Sequence, residues 1–289
     1  MSQLMIRELT PAFGAEIEGL DPTAKLSEDD AALLRDTFDE RGLLRFRDLE
    51  LEPEYQRYLA SLVIGREGPA PDGAPYDTSD VFFVSNKEDD GGAPFGRLLY
   101  HCDMMWSDNP FQVLTLYGLE VTPPTVPTIF TSATRAWETL PAELRARLEG
   151  LHALHMTGQA RRAGDEEGEL LQPQRENAKS VTRPIPFAHP RTGEPILYVS
   201  QMMTRKIIEL PGQDSEDLLG EVFAHLYDPV RTWQQDWRKG DFVMWDNFAI
   251  QHARGEVKSE GPPRTLRKVI APRLVAGSVE KPRFDKVGT

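Results

Sequence analysis

The sequence contains a single cysteine, Cys102, among 289 residues. One cysteine excludes an intrachain disulfide, agrees with a reducing compartment and rules out a zinc site built from several thiolates. No apolar run reaches the roughly 18 residues that a membrane-spanning helix needs. A basic segment followed by an apolar run, as in a secretory signal, is also missing at the start of the sequence. We therefore expect a cytoplasmic protein that does not contact a membrane.

Positive charge is scarce, with 33 Lys and Arg residues against 46 Asp and Glu residues and a net charge of −13. A chain of this charge repels a phosphate backbone unless it carries a local basic stripe, and the densest basic stretch, 264–268, is short. We do not expect nucleic acid as a partner. The remaining composition is that of an ordinary globular protein, and we interpret residues 1–289 as one domain.

Hydrophobic periodicity predicts short strands along most of the chain and only a few helices. A first helix follows Ser27 as its cap and ends at Gly42; further helices are predicted over 52–63, 141–151 and 215–227. Strands are predicted over 43–46, 81–84, 111–118, 127–132, 195–199, 241–245 and 266–270. This pattern favours a β-sandwich or jelly roll decorated by helices. The charged stretch around 158–180 has few apolar anchors, and we expect a mobile insertion there.

Two histidines and one aspartate are candidate metal ligands. His101 and Asp103 are separated by one residue, and in a strand residues i and i+2 face the same side. His252 follows much later in the chain, after the segment Trp245-Asp246-Asn247. Two imidazoles and one carboxylate are the ligands of non-haem Fe(II) oxygenases, because they hold one face of the ion and leave positions open. By itself His-x-Asp is a weak motif, and a surface strand with a local hydrogen bond is the alternative.

Several segments in the same order resemble the taurine dioxygenase and 2,4-dichlorophenoxyacetate dioxygenase family of Fe(II)/2-oxoglutarate-dependent oxygenases. The resemblance covers nearly the whole chain. Its segments are Gly14-Ala15-Glu16-Ile17-Glu18-Gly19-Leu20-Asp21, Tyr100-His101-Cys102-Asp103, Thr128-Ile129-Phe130-Thr131-Ser132, His189-Pro190-Arg191-Thr192-Gly193, Trp245-Asp246-Asn247, Gln251-His252-Ala253-Arg254 and Arg264-Thr265-Leu266-Arg267-Lys268.

The resemblance implies a mainly β fold with helical decoration, namely a double-stranded β-helix of the jelly-roll, cupin-like type. It implies that His101, Asp103 and His252 bind Fe(II), and that 2-oxoglutarate and O2 are consumed. Thr128 and Arg264 match the positions that hold the 5-carboxylate of 2-oxoglutarate. Arg267 competes with Arg264, but strand alternation places Arg264 and Lys268 on one face and Arg267 on the other.

The substrate implied by the resemblance is a small, anionic organic molecule. Lys268 stands where relatives that bind anions often carry an arginine, and Tyr100 and Met202 are candidates for the pocket wall. The expected reaction is hydroxylation, which can lead to cleavage of a carbon–heteroatom bond, or else desaturation. Relatives commonly form dimers or tetramers, so we expect a homo-oligomer.

Two alternatives remain open from the residues alone. One is a β-sandwich without enzymatic activity that binds a small anion, and the other is a metal-dependent hydrolase that uses the same ligands to activate water. We expect Asp246 and Asn247 to organise the turn before His252 rather than to act chemically. His152 and His155, predicted near the end of a helical stretch, are assigned to packing, as are His189 and His225.

Overall fold

A computed structural model describes residues 4–65, 81–88, 91–158, 178–258 and 260–270. Most of the insertion expected around 158–180 lies outside these residues. The helices are α1 (Glu28–Arg41), α2 (Pro53–Leu62), α3 (Ala133–Glu138), α4 (Ala142–Leu148) and α5 (Gly212–Leu226). The strands are β1 (Met5–Glu8), β2 (Ala15–Glu18), β3 (Leu43–Phe46), β4 (Val81–Ser85), β5 (Gly96–His101), β6 (Val113–Val121), β7 (Thr128–Ser132), β8 (Leu151–Met156), β9 (Ser180–Ile185), β10 (Phe187–Ala188), β11 (Pro195–Ile196), β12 (Thr204–Ile207), β13 (Thr232–Gln235), β14 (Phe242–Asp246), β15 (Ile250–Val257) and β16 (Arg264–Ile270).

Helix α1 begins and ends where its sequence predicts. The Ser27 hydroxyl accepts a hydrogen bond from the Asp30 amide, which satisfies one of the free donors of the first turn. Gly42 ends the helix in the left-handed region, with φ 69°, and its amide donates to the Phe38 carbonyl. Because glycine adopts this conformation without a steric cost, the chain turns there directly into β3.

Two sheets face each other and form the jelly roll. The larger has the strand order β1-β2-β3-β14-β6-β16-β4, and the smaller has the order β13-β7-β15-β5. Side chains of both sheets fill the space between them: Val243, Trp245 and Leu266 come from the larger sheet, and Phe130 and Ile250 from the smaller. This confirms the predicted mainly β architecture, in which non-consecutive strands become neighbours.

Helices cover the outer faces of both sheets. Leu34 and Phe38 of α1 and Leu59 of α2 pack with Phe46 and Phe242 on the larger sheet. On the other side, α3 and α5 pack against the segment 196–203, which lies beside the smaller sheet. None of the helices in the described ranges is long and apolar enough to cross a membrane.

Two local predictions were wrong. The strand predicted over 195–199 is limited to the two residues of β11, Pro195–Ile196. His152 and His155 belong to a strand, β8, rather than to the end of a helix. Helix α4 already stops at Leu148, and β8 then pairs with β9 and β12 in a sheet of its own. The partners of β8 lie 24 to 54 positions later in the chain. Pairing with distant segments overrides local propensity, so the helical pattern did not decide the structure.

Candidate metal centre

The three candidate ligands converge on the inner side of the smaller sheet. His101, the last residue of β5, pairs directly with His252 of β15, and the centroids of the two imidazole rings are 4.2 Å apart. Asp103 lies two residues beyond the end of β5. Its Oδ1 atom is 3.2 Å from Nε2 of His101 and 3.7 Å from Nε2 of His252. One ligand atom from each residue falls within 4.8 Å of the others, so a single ion can contact all three.

The protonation states suit a divalent cation. Nδ1 of His101 lies 2.8 Å from the Leu99 carbonyl, which only accepts hydrogen bonds, so Nδ1 is the donor there and Nε2 is the ring nitrogen that faces Asp103. Burial, followed by the neighbouring His101, holds the pKa of His252 well below its ordinary value. Burial alone would raise the pKa of Asp103, but Lys268 and the two histidines outweigh it and hold that pKa well below its usual range. Neutral imidazoles and an ionised carboxylate are the forms that bind metal.

Lys268 reaches the ligands from the opposite sheet. It lies on β16, and its ammonium donates a hydrogen bond to Oδ2 of Asp103. The other carboxylate oxygen, Oδ1, is the one nearest to the two histidines. The lysine side chain is only 13% exposed. Lys268 therefore closes the site from the larger sheet and supplies a positive charge next to the candidate metal position.

Arg264 is a buried cation that has no counter-ion among the described residues. It begins β16, and burial together with the nearby Arg254 lowers its pKa to about 9. Its Nε has no hydrogen-bond partner, and among the described residues it forms no ion pair. Arg254, in contrast, donates to the carbonyls of Ala93 and Gly96. A buried charge is costly unless it is paired, so Arg264 favours the entry of an anion.

Thr128 lies close to this basic region. It begins β7, is buried, and pairs in register with Arg254 on β15. Its hydroxyl accepts a hydrogen bond of 2.9 Å from Nε1 of Trp237. The hydroxyl proton is then free to be donated, which suits a carboxylate ligand.

Arg267 points to the other face of β16, as alternation along the strand predicts. Its Nε donates to Oε1 of Gln56 at 2.9 Å, and the guanidinium also donates to the Leu51 carbonyl. The guanidinium lies 4.8 Å from the centre of the Tyr117 ring. These contacts tie α2 to the larger sheet and leave Arg264 as the arginine on the inner face.

Tyr100 and Met202 lie together beside the smaller sheet. The Tyr100 ring stacks on Tyr227 of the α5 end at a centroid distance of 4.1 Å, and burial raises the pKa of Tyr100 to about 12. The Met202 amide donates to the Tyr100 carbonyl, and its side chain belongs to the core beside α5. Their contacts thus lie on the α5 side, and a role in the pocket wall stays a prediction for both.

Asp246 organises the turn before β15, as the sequence indicates. Its Oδ1 accepts hydrogen bonds from the amides of Phe248 and Ala249, and its Oδ2 accepts from His189 and Arg191. The bond from His189 Nε2 is 2.9 Å long, and both side chains are buried. His189 therefore has a specific partner where sequence reasoning assigned it only to packing. The signal was available in the segment His189-Pro190-Arg191-Thr192-Gly193, which carries both donors.

A jelly roll that brings two histidines and an aspartate together on its inner surface is the arrangement typical of a non-haem iron oxygenase. The chain belongs to the taurine catabolism dioxygenase TauD, TfdA family, whose profile matches residues 5–270. It is 27% identical to pentalenolactone F synthase of Streptomyces avermitilis, over 90% of each chain. It is 25% identical to the alpha-ketoglutarate-dependent 2,4-dichlorophenoxyacetate dioxygenase of Cupriavidus pinatubonensis, over 90% of this chain and 94% of that protein.

The fold agrees with solved structures of the family. A taurine dioxygenase from Burkholderia xenovorans superimposes with a TM-score of 0.73 at 25% sequence identity, over 93% of this chain and 91% of the other. The protein is thus a 2-oxoglutarate-dependent dioxygenase that uses Fe(II) and O2. This decides between the three interpretations of the sequence in favour of the oxygenase.

Proposed function

We propose that His101, Asp103 and His252 are the iron ligands of this dioxygenase. The observation that carries the proposal is the convergence of their three ligand atoms within 4.8 Å. The pKa values of Asp103 and His252, both held well below their ordinary values, favour the ionised carboxylate and the neutral imidazole that bind a divalent cation. Iron held by three protein ligands supplies open positions for 2-oxoglutarate and O2.

The proposed cosubstrate pocket is formed by Arg264 and Thr128. Arg264 presents a buried guanidinium that lacks a counter-ion among the described residues, and a guanidinium can donate two parallel hydrogen bonds to a carboxylate. The Thr128 hydroxyl, already an acceptor from Trp237, can donate to the same carboxylate. We assign these two side chains to the 5-carboxylate of 2-oxoglutarate.

The proposed primary substrate is a small organic acid. An ammonium group has three donors, and Lys268 uses one of them for Asp103, so it can also bind an anion beside the metal ligands. By its name, the Cupriavidus relative acts on an aryloxyacetate, which carries a carboxylate. Tyr100 and Met202 are proposed as part of the pocket wall. Hydroxylation of a carbon next to oxygen or sulfur would lead to cleavage of that bond, and desaturation is the other outcome open to the same site.

The test has two steps. Anaerobic addition of Fe(II) and 2-oxoglutarate should produce a weak visible charge-transfer band, and its absence together with a lack of metal uptake would refute the ligand assignment. Small carboxylates, sulfonates and sulfate esters, together with uncharged analogues of each, are then screened for stimulated succinate formation, with oxidised product measured in parallel. We expect at least one anionic compound to give equal amounts of succinate and product. Stimulation confined to uncharged compounds would refute the proposed substrate class.

The remaining proposals concern the whole molecule. We propose a single-domain, cytoplasmic homo-oligomer, a dimer or tetramer, that does not bind nucleic acid. The single cysteine and the net charge of −13 support the location and the lack of nucleic-acid binding. Light scattering coupled to size-exclusion chromatography tests the oligomeric state.

A further inference from the structure

One buried side chain forms hydrogen bonds with both the amide and the carbonyl of Asp103. Asn247 is fully buried in the turn between β14 and β15. Its Oδ1 accepts a hydrogen bond of 2.8 Å from the Asp103 amide, and its Nδ2 donates a hydrogen bond of 2.9 Å to the Asp103 carbonyl. A single amide side chain therefore satisfies both backbone polar groups of one residue.

The same asparagine also holds the chain that follows Asp103. Its Nδ2 donates a second hydrogen bond, of 3.0 Å, to the Phe111 carbonyl. Its backbone amide donates to the Gln112 carbonyl at 2.9 Å. Asn247 thus fixes the segment between β5 and β6 at its beginning and at its end.

Asp103 needs such support because no strand ladder fixes it. β5 ends at His101, and Asp103 lies in a turn outside the sheet. The next residue, Met104, has φ 58°, a conformation that residues with a side chain rarely adopt. The backbone on both sides of the carboxylate is therefore not held by regular structure, and outside contacts must determine its position.

Asn247 connects Asp103 to the strand that carries His252. Asp246 holds the turn after β14 through the amides of Phe248 and Ala249, and His189 and Arg191 hold Asp246. β15 then begins at Ile250 and carries His252. The position of Asp103 relative to His252 is thus determined through a continuous set of buried hydrogen bonds.

We infer that Asn247 is a positioning residue that sets the place of Asp103 in the metal site and thereby the affinity for the metal. The inference rests on the proposed ligand role of His101, Asp103 and His252. Outer residues that orient metal ligands typically contribute about 10–100-fold to metal affinity.

The test compares Mn(II) binding to the full-length protein by calorimetry in three variants. Asn247→Leu keeps the side-chain size but removes all three side-chain hydrogen bonds, and should weaken Mn(II) binding about tenfold or more. Asn247→Asp keeps the acceptor for the Asp103 amide and should give an intermediate loss. Ser215→Ala is the matched control: it removes a buried hydrogen bond to the Ile207 amide near α5, and should lose stability without changing Mn(II) affinity.

The outcomes separate this inference from the proposed function. Wild-type Mn(II) affinity in both Asn247 variants would overturn the positioning role. If His252→Ala also bound Mn(II) with wild-type affinity, the ligand assignment itself would fail. If the Asn247 variants do not fold, amide hydrogen exchange of the metal-free wild-type protein tests the inference instead. The Asp103 amide should then exchange as slowly as strand amides, and fast exchange would overturn the inference.

Discussion

His101 and His252 are direct partners in the antiparallel pair of β5 and β15, with ring centroids 4.2 Å apart. Two of the three candidate ligands are therefore placed by backbone hydrogen bonds of the smaller sheet. The third, Asp103, is placed by the Asn247 amide. The three candidate ligands are therefore positioned by two separate sets of hydrogen bonds, one in the smaller sheet and one in the turn before β15.

Replacement of Asp103 by alanine should abolish the metal site. The change removes the only carboxylate of the triad and leaves the Lys268 ammonium without its partner, next to two imidazoles. We expect Mn(II) affinity to fall more than about 100-fold, beyond the range of outer residues. Substrate-coupled 2-oxoglutarate turnover should also be lost. Asp108→Ala, which removes a carboxylate that is 92% exposed, is the control. Undiminished, correctly coupled turnover in Asp103→Ala would contradict the ligand assignment.

Substitution by glutamine should weaken 2-oxoglutarate binding at Arg264 and should lower the stability of the fold at Arg267. Arg264→Gln removes the charge proposed to bind 2-oxoglutarate, and a charge-assisted pair of about 1.5–3 kcal/mol corresponds to roughly a 10- to 100-fold weaker Kd. Arg267→Gln should leave that Kd unchanged but lower the free energy of unfolding, because Arg267 holds Gln56 and the Leu51 carbonyl. Titration with 2-oxoglutarate and urea unfolding measure the two effects. A Kd increase confined to Arg267→Gln would reverse the assignment.

The sequence predicted those features of the fold that depend on local pattern. Ser27 and Gly42 bound α1 because capping chemistry acts within one turn. Arg264 and Arg267 point to opposite faces because side chains alternate along a strand. The candidate ligands were found because the chemistry of Fe(II) needs these residue types.

Features that depend on distant pairing were not predictable in this way. β8 was missed because its partners come from much later in the chain. The Asn247–Asp103 contact joins residues 144 positions apart, and no periodicity signals it. Likewise, the bond from His189 to Asp246 appears only after the chain has folded.

Gly118 should not tolerate alanine, although it lies within β6. A Cβ atom there would be 2.5 Å from the Arg238 carbonyl oxygen, which is backbone and cannot move away easily. We expect Gly118→Ala to lower the free energy of unfolding by about 3 kcal/mol in urea titrations. Gly220→Ala is the matched control, since its Cβ meets nothing within 4 Å on α5. The free energy of unfolding of that variant should increase by about 0.5–1 kcal/mol, because alanine has a higher helix propensity than glycine. Equal stability of the two variants would contradict the close approach at Gly118.

His155 should make the stability of the metal-free protein fall with decreasing pH. It is fully buried on β8, and burial, followed by Arg183 and Arg205, lowers its pKa to about 3. In the unfolded chain the pKa of histidine is about 6.5, so between these values the unfolded state binds a proton that the folded state does not. The free energy of unfolding therefore decreases as pH falls below about 6.5, by up to about 1.4 kcal/mol per pH unit, and His155 contributes no slope above it.

His155→Leu should remove this contribution. Urea unfolding of wild type and variant at several values between about pH 5 and 7.5 measures the slope, and the variant's curve should be the flatter of the two below about pH 6.5. Loss of the hydrogen bond between His155 and Thr204 lowers the free energy of unfolding equally at all pH values. A difference in slope between the two proteins therefore reports only proton binding by His155. Ser215→Ala, which removes a buried hydrogen bond without a titrating group, should keep the wild-type slope. Parallel curves for wild type and His155→Leu would show that His155 binds a proton as readily in the folded protein as in the unfolded chain, which contradicts the prediction.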